Sequence, residues 1–331
     1  MGKTKVVVLG SNSFSGSDFV DLLLEEGDYE VVGVSRSPEK SAVFLPYKNG
    51  NSGDFSFHQL DMNKEMPELI NLFDAAEPDY IVNFAAQSEV APSWEHPEHW
   101  YETNVVSLSK MINFLKERSY LKKYVHISSP EVYGTCEGTV FEDAPLNPST
   151  PYAASKAAAD LHLFTIQKNY DFPLTMIRST NVYGAHQQLW KIIPRTIIYI
   201  KSGKKLQLHG GGKAVKSFIH ISDISRGELS AMLSGSTGSI YHLSPENGYS
   251  VREVVEMICE KMSVQFSEVV ENVEERPGQD RAYVIDSTKA RREFEWRPRV
   301  SMEDGIDGVV SWINASLEEI KNLPLDYIHK P

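Results

Sequence analysis

The sequence predicts an α/β fold: a doubly wound parallel sheet followed by a smaller mixed α/β lobe. Two observations carry this expectation. Short β-type runs alternate with helical patterns of roughly 10–20 residues through the first half of the chain. A glycine-bounded turn, Gly10-Ser-Asn-Ser-Phe-Ser-Gly16, stands between the first β run and the first helix, where a dinucleotide-binding (Rossmann) sheet places its phosphate loop.

Taken in order, residues 5–9 read as a buried strand. Residues 14–26 have helical spacing through Phe19, Leu22, Leu23 and Glu26. Strands are expected over 30–35, 55–60, 80–85 and 124–128, with helices over 66–76 and 98–118 between them. Beyond Tyr152 come a helix, a strand over 174–178 and a helix over 189–201. The last third is more mixed. It holds the Gly210-Gly-Gly turn, a short strand over 217–220, and helices near 222–234, 250–262 and 302–321. A chain of 331 residues suggests about two domains at ~150 residues each. The expected division is a dinucleotide-binding domain over 1–178 and a substrate lobe mainly over 179–331, interleaved without a clean linker.

Composition excludes several classes. Apolar residues make up 41% and charged residues 24%, as in ordinary globular proteins. No apolar run approaches the ~20 residues of a membrane span, and the run over 6–9 is too short for a signal-peptide core. Cys136 and Cys259 cannot form a disulfide framework or a cysteine-only metal cage. The expected setting is therefore cytoplasmic, and the Asn314-Ala-Ser sequon carries no weight. With 45 acidic against 33 basic residues the net charge is −12, so neither nucleic acid nor an anionic membrane is expected as a partner.

In the glycine turn, Gly10 makes the tight bend, and backbone N–H groups at the start of the helix (Asn12 to Gly16) face a pyrophosphate. Ser13 replaces a glycine there; its Cβ restricts the backbone, and its hydroxyl can donate to a phosphate oxygen. The second strand ends Ser35-Arg36, without the carboxylate that would hold an adenosine ribose. Arg36 can stack on adenine and pair with a 2′-phosphate, which tilts the choice toward NADP. Asp61, with Met62 beside it, is a candidate for the adenine edge, a helix cap being its alternative.

Tyr152-Ala-Ala-Ser-Lys156 places a phenol and an ammonium on one helix face. The cation is expected to pull the tyrosine pKa down from ~10. The motif follows a strand whose end carries Ser128-Ser129-Pro130-Glu131-Val-Tyr-Gly134.

With these motifs the chain resembles the extended short-chain dehydrogenase/reductases that act on nucleotide sugars. These form the NAD-dependent epimerase/dehydratase family, and the resemblance is to its NDP-hexose 4,6-dehydratases of the dTDP-glucose and GDP-mannose types. The likeness runs through Asn83-Phe-Ala-Ala-Gln-Ser88, Thr103-Asn104, the Ser128 to Gly134 strand end, Pro151 to Ala157, Arg178 to Gly184, Lys191-Ile-Ile-Pro194 and Arg276-Pro-Gly-Gln-Asp-Arg281. It implies that Tyr152 takes the C4 hydroxyl proton of the sugar while hydride passes to NAD(P). Lys156 assists Tyr152 and holds the nicotinamide ribose, and Ser129 bonds the reacting oxygen. Glu131 removes the C5 proton and helps expel the C6 hydroxyl. The cofactor is recycled and stays bound; on this resemblance NAD is favoured, against the lean of Arg36. Ala85 and Ala86 lie beside the cofactor. Ser88, Asn181, Lys191, Lys216, Arg276 and Arg281 are candidate contacts to the nucleotide-diphosphate sugar, with Arg195 a weaker one. A homodimer is implied.

Pro130 replaces the aspartate that dTDP-glucose-type enzymes use as the acid for the leaving hydroxyl, and GDP-mannose-type enzymes lack it too. Glu131 would then act as base and afterwards as acid. Epimerisation, 5,6-dehydration, C4 oxidation and decarboxylation stay open, as does a non-enzymatic dinucleotide sensor. No metal is expected: His96 and His99 lie three apart, and the sequence offers no third ligand. Gly210-Gly-Gly-Lys213 is no P-loop, because Gln207 and Ala214 occupy required positions. Trp94, Trp100 and Trp190 are expected in the core or lining a pocket.

Overall fold

The computed structural model describes residues 2–50, 53–135, 138–274 and 284–331. Seven parallel strands form one sheet: β1 (Thr4–Leu9), β2 (Tyr29–Ser35), β3 (Phe55–Gln59), β4 (Tyr80–Asn83), β5 (Lys123–Ile127), β6 (Leu174–Ser179) and β7 (Ser239–Leu243). The spatial order is β3-β2-β1-β4-β5-β6-β7. The chain therefore runs outward through β2 and β3, then returns to the other side of β1. The crevice beyond the carboxyl ends of β1 and β4 is the switch point, where such sheets bind ligands.

Alternation along the strands builds the core. Val6 and Val8 face one side with Phe19, Leu23 and Val125; Val7 and Leu9 face the other with Phe73, Ile112 and Leu163. Both faces are covered, which is why these strands read as unbroken apolar runs. Helix α1 (Phe14–Glu26) starts at the Ser13 cap and stops at Gly27, whose φ is 78°. Helices α2 (Met66–Ala76) and α3 (Leu108–Leu115) cover the second face. The helix α4 (Pro151–Tyr170) begins at the Thr150 cap with Pro151 in its first turn.

Three expectations change here. The single helix expected over 98–118 is three segments, with a π-helical stretch over Glu102–Ser107 between Pro97–Tyr101 and α3. The helix expected over 302–321 breaks at Ser316. The strand β7 was not expected at all, yet it pairs in parallel with β6. With the helix over Ile221–Ser234 it brings residues far along the chain back onto the first layer.

The remaining lobe packs α5 (Ile192–Lys201), α7 (Val251–Lys261) and α8 (Met302–Ala315) around Ile193, Ile197, Ile258, Ile306 and Val309. Helix α6 (Ile221–Ser234) packs Ile224 and Met232 into the same core cluster as Phe19 and Leu23 of α1. Short strands decorate the lobe: Asn181–Tyr183 pairs with Phe218–His220, Leu206–His209 with Val270–Val273, and Val215–Lys216 with Tyr249–Ser250.

Candidate active site

The switch-point crevice is a cavity of about 260 Å³. Gly10, Asn12, Ser13, Ser35, Arg36, Asp61, Met62, Ala85 and Ala86 all line it, as does Ser88. Phe14, Ser15 and Gly16 sit behind it in the first turn of α1. Gly10 has φ 81°, and a Cβ there would stand 2.8 Å from the Ala85 nitrogen. A Cβ on Gly16 would meet the Gly10 carbonyl oxygen at 2.3 Å. These two positions keep the turn tight against α1.

Ser13 fits without strain, at φ −75°. Its hydroxyl oxygen accepts from the Gly16 N–H at 3.0 Å, which leaves the hydroxyl proton available to an anion. Asn12 is anchored through its side-chain amide to the Ser37 and Pro38 carbonyls, 2.9 Å each, and its backbone N–H donates to the Ser35 hydroxyl. The buried Asn12 Oδ1 and Ser11 Oγ have no partner among the described residues. Asp61 lines the crevice but does not cap a helix, since α2 begins after Glu65; its carboxylate accepts from the Asn63 N–H at 2.9 Å in a local turn.

Arg36 is engaged differently from the expectation. Its guanidinium donates to the backbone carbonyls of Lys330 and Pro331. Gln87, also in the crevice, donates to the Lys330 carbonyl at 2.8 Å. The chain's last residues thus cross this end of the cleft, with Tyr327 in its wall. Sequence patterns missed Lys40, Gln87 and Tyr327. Lys40 donates to the Asn12 carbonyl at 2.8 Å, and burial, followed by the nearby Lys330 charge, pushes its pKa down. It stands in a loop with no periodic pattern, so no local signal marked it.

The crevice therefore suits a dinucleotide: a glycine cradle, a helix N-terminus, unsatisfied buried polar atoms and two cations. When bound, a nicotinamide cofactor supplies a reversible two-electron oxidation beside the tyrosine helix.

Ser129 and Pro130 open a single 3-10 turn, Pro130–Tyr133, at the end of β5. Ser129 is extended (φ −147°, ψ 142°), as a residue before proline must be. Its hydroxyl accepts from the Glu131 N–H at 3.2 Å. Gly134 closes the turn at φ 66°, where a Cβ would strike the Asn147 carbonyl oxygen. The turn brings Ser129 and Glu131 to Tyr152. Burial and then the Glu131 carboxylate raise the Tyr152 pKa, and a hydrogen bond with Ser129 pulls it back in part.

That corrects the expectation of a tyrosine lowered by Lys156. The buried Lys156 ammonium donates instead to the Ile127 carbonyl at 2.8 Å and lies 3.3 Å from His126 Nε2. Its own pKa is pushed down to about 8, chiefly by burial. Ser128, the other serine of the strand end, turns away and donates to Asp160 at 2.6 Å. Behind it, Asp160 accepts from Arg178 at 2.7 Å, and Arg178 also donates to Tyr133. Asn104, in the π-helical stretch, bonds both Gln87 and Ser155 and so ties the crevice loop to α4.

On the substrate side the candidates separate. Lys191 pairs with Glu89 at 2.8 Å, and the Trp190 indole N–H donates to the same carboxylate. Arg195 donates to Asp326 at 2.7 Å and to the Tyr199 hydroxyl. It lines a larger cavity, about 800 Å³, with Lys204, Lys205 and His209, three basic residues not foreseen from sequence. Asn181 and Lys216 lie in the small paired strands and line neither this cavity nor the crevice. Arg276, Arg281 and Cys136 lie outside the described residues. Trp100 is fully buried, Trp94 is exposed, and Trp190 walls the crevice.

Comparison with known proteins agrees with this fold. The model of the GDP-mannose 4,6-dehydratase family matches residues 7–309. The chain belongs to that family. Its fold and motifs place it in the NAD-dependent epimerase/dehydratase branch of the short-chain dehydrogenases. It is 30% identical to mouse dTDP-D-glucose 4,6-dehydratase over 96% of this chain and 91% of that one. It is 31% identical to the low-salt glycan biosynthesis protein Agl12 of Haloferax volcanii, over 93% of this chain and 97% of that one. The structure of DesIV, a dTDP-glucose 4,6-dehydratase from Streptomyces venezuelae with NAD bound, superposes with a TM-score of 0.87 at 30% identity, covering 96% and 98% of the two chains. A UDP-glucuronic acid 4-epimerase from Bacillus cereus shares the fold at 24% identity and a TM-score of 0.86. No helix among the described residues is long and apolar enough to cross a membrane.

Proposed function

We propose that this member of the family is an NDP-sugar 4,6-dehydratase, forming a 4-keto-6-deoxy nucleotide sugar. The observation that carries this is the Ser129–Pro130 turn, which sets the Glu131 carboxylate close enough to Tyr152 to raise its pKa. Two proton acceptors then share one reacting sugar. Tyr152 accepts the C4 hydroxyl proton, and Ser129 bonds the same oxygen. The C4 ketone acidifies C5–H, Glu131 removes that proton, and the protonated Glu131 gives it to the departing C6 hydroxyl as water leaves. The hydride taken from C4 by a bound nicotinamide is given back at C6, with C5 reprotonated from solvent. Pro130 has no proton to give, so Glu131 fills both roles. The tyrosine must lose its proton against a raised pKa, which makes its deprotonation dependent on what binds in the crevice.

The NAD-bound relatives support a nicotinamide cofactor, recycled and retained. The absence of an acid after β2, with Arg36 in its place, supports NADP as the alternative to NAD. The sugar nucleotide's diphosphate would lie toward Arg195 and the basic wall of the larger cavity, with Asn181, Lys191, Lys216, Arg276 and Arg281 as further candidate contacts. We also infer a cytoplasmic homodimer. Tyr101 and Val106 on the helical run before α3, and Leu161 on α4, are exposed apolar side chains on the helices expected to meet. Leu161→Arg is expected to give a monomer by light scattering; an unchanged mass would place any interface elsewhere.

The direct test is product mass after incubation with a panel of nucleotide sugars in D2O. Loss of one water with one deuterium gained at C5 is the expected result. An isomer without water loss would make the protein an epimerase. Accumulation of reduced cofactor would make it a C4 dehydrogenase. Glu131→Gln should retain cofactor and stop at the 4-keto stage.

A further inference from the structure

We propose that His96, Glu98 and His99 form a zinc-type metal site, and that His329 clasps the chain's last residues onto it. The third ligand, Glu98, stands between the two imidazoles in the sequence, and the local fold brings one ligand atom from each of the three residues within 4.8 Å of the others. Glu98 Oε1 stands 3.9 Å from His96 Nδ1 and 3.6 Å from His99 Nε2. Ligand atoms around a tetrahedral Zn²⁺ with bonds of about 2.0–2.1 Å sit roughly 3.3–3.5 Å apart. Small rotations of these partly exposed side chains close the site. Two imidazoles and a carboxylate suit Zn²⁺ and leave a fourth position for water.

A second observation concerns which ring nitrogens are free. His99 Nδ1 lies 2.8 Å from His329 Nε2, and His329 Nδ1 lies 3.2 Å from the Tyr327 hydroxyl oxygen. A metal on His99 Nε2 requires that ring's proton at Nδ1. It then donates to His329 Nε2, and His329 in turn donates from Nδ1 to Tyr327. Every nitrogen in the relay has a role, and a hydrogen-bonded outer partner of this kind orients a metal-bound imidazole. His329 is fixed for this by stacking on the buried Trp100, with ring centroids 5.2 Å apart and 9° between planes. The neighbouring Lys330 carbonyl reaches Arg36 and Gln87 in the crevice, so the metal would pin the segment that crosses the cleft.

The test uses the full chain stripped of metal and Zn²⁺ alone, by competition with a chromogenic chelator. One Zn²⁺ per chain is expected. His96→Ala and His99→Ala should each weaken binding at least about 100-fold, and His329→Ala by about 10–100-fold. Amide hydrogen exchange over 327–330 should slow when Zn²⁺ is added. Circular dichroism, with His99→Asn as a milder variant, checks that folding is intact. Binding equally strong in His96→Ala and His99→Ala, or no binding at all, overturns the site. Unchanged exchange over 327–330 together with an indifferent His329→Ala overturns the clasp.

Discussion

Two buried ionic clusters face opposite sides of the sheet and solve the same problem differently. Behind the Ser129–Pro130 turn, Asp160 and Arg178 are essentially inaccessible yet paired at 2.7 Å, with Ser128, Tyr133 and His242 completing the network. Between α1 and α6, Asp18 and Glu228 come together without a buried cation. Among the described residues neither Glu228 carboxylate oxygen has a hydrogen-bond partner, while Asp18 accepts from Ser225 at 2.6 Å. In the first cluster the carboxylate and the guanidinium are paired with each other. The second is pushed toward protonation: the Glu228 pKa is driven well above the usual carboxylate range, and Asp18 is raised to about 6, so that Asp18 still ionises at neutral pH but at a cost, burial leading in both. The difference teaches where precision is needed. The paired cluster holds Tyr133 and Ser128 on the strand end that carries Ser129 and Glu131, whereas the acid pair touches only helix packing.

The sharpest way to break the contrast is Arg178→Leu. It strands Asp160 in the interior, and the expected cost is about 3–5 kcal/mol in urea unfolding. Turnover should fall about 10²-fold as the turn carrying Ser129 and Glu131 shifts. On the other face the sign reverses. Asp18→Asn keeps an acceptor for Ser225 and removes a carboxylate that is reluctant to ionise. It should stabilise the protein by about 2 kcal/mol at pH 7.5.

The pH dependence sharpens this. Native Asp18 holds its proton more tightly than the unfolded chain does, since its pKa rises from 3.8 to about 6. Its contribution to stability therefore falls as pH rises through that interval, and the advantage of Asp18→Asn should vanish by pH 4. Equal gains at both pH values would mean that the group is not titrating. Ser225→Ala removes the hydroxyl donor and should cost about 1 kcal/mol at pH 7.5. Smallest is Glu228→Gln, which replaces one neutral group by another and should stay within about 0.5 kcal/mol at neutral pH, with turnover unchanged. A large gain there would mean that Glu228 is ionised in the native protein.

Much of the sheet was legible because its signals are local. Val6 to Leu9, buried on both faces, cannot be mistaken for an amphipathic surface strand. Tyr152 and Lys156 share a helix face by spacing alone, and Pro130 dictates the backbone of Ser129. The strand β7 escaped because its five residues, Ser239–Leu243, include Tyr241 and His242. His242 is buried only because Tyr133 and the Asp286 carbonyl bond its ring. The π-helical stretch escaped because one extra residue in a turn leaves helical spacing nearly intact.

By itself, then, the sequence determined the class of sheet, the glycine cradle and the local placing of Ser129 beside Glu131 and of Tyr152 beside Lys156. Each rests on residues within a few positions of one another. Only the tertiary structure decided the direction of the Tyr152 pKa, the partner of Lys156, and the placing of Arg36 against the chain's last residues, some 295 positions away. The physical reason is that burial and long-range pairing set charge states and side-chain contacts, and neither is written in local spacing.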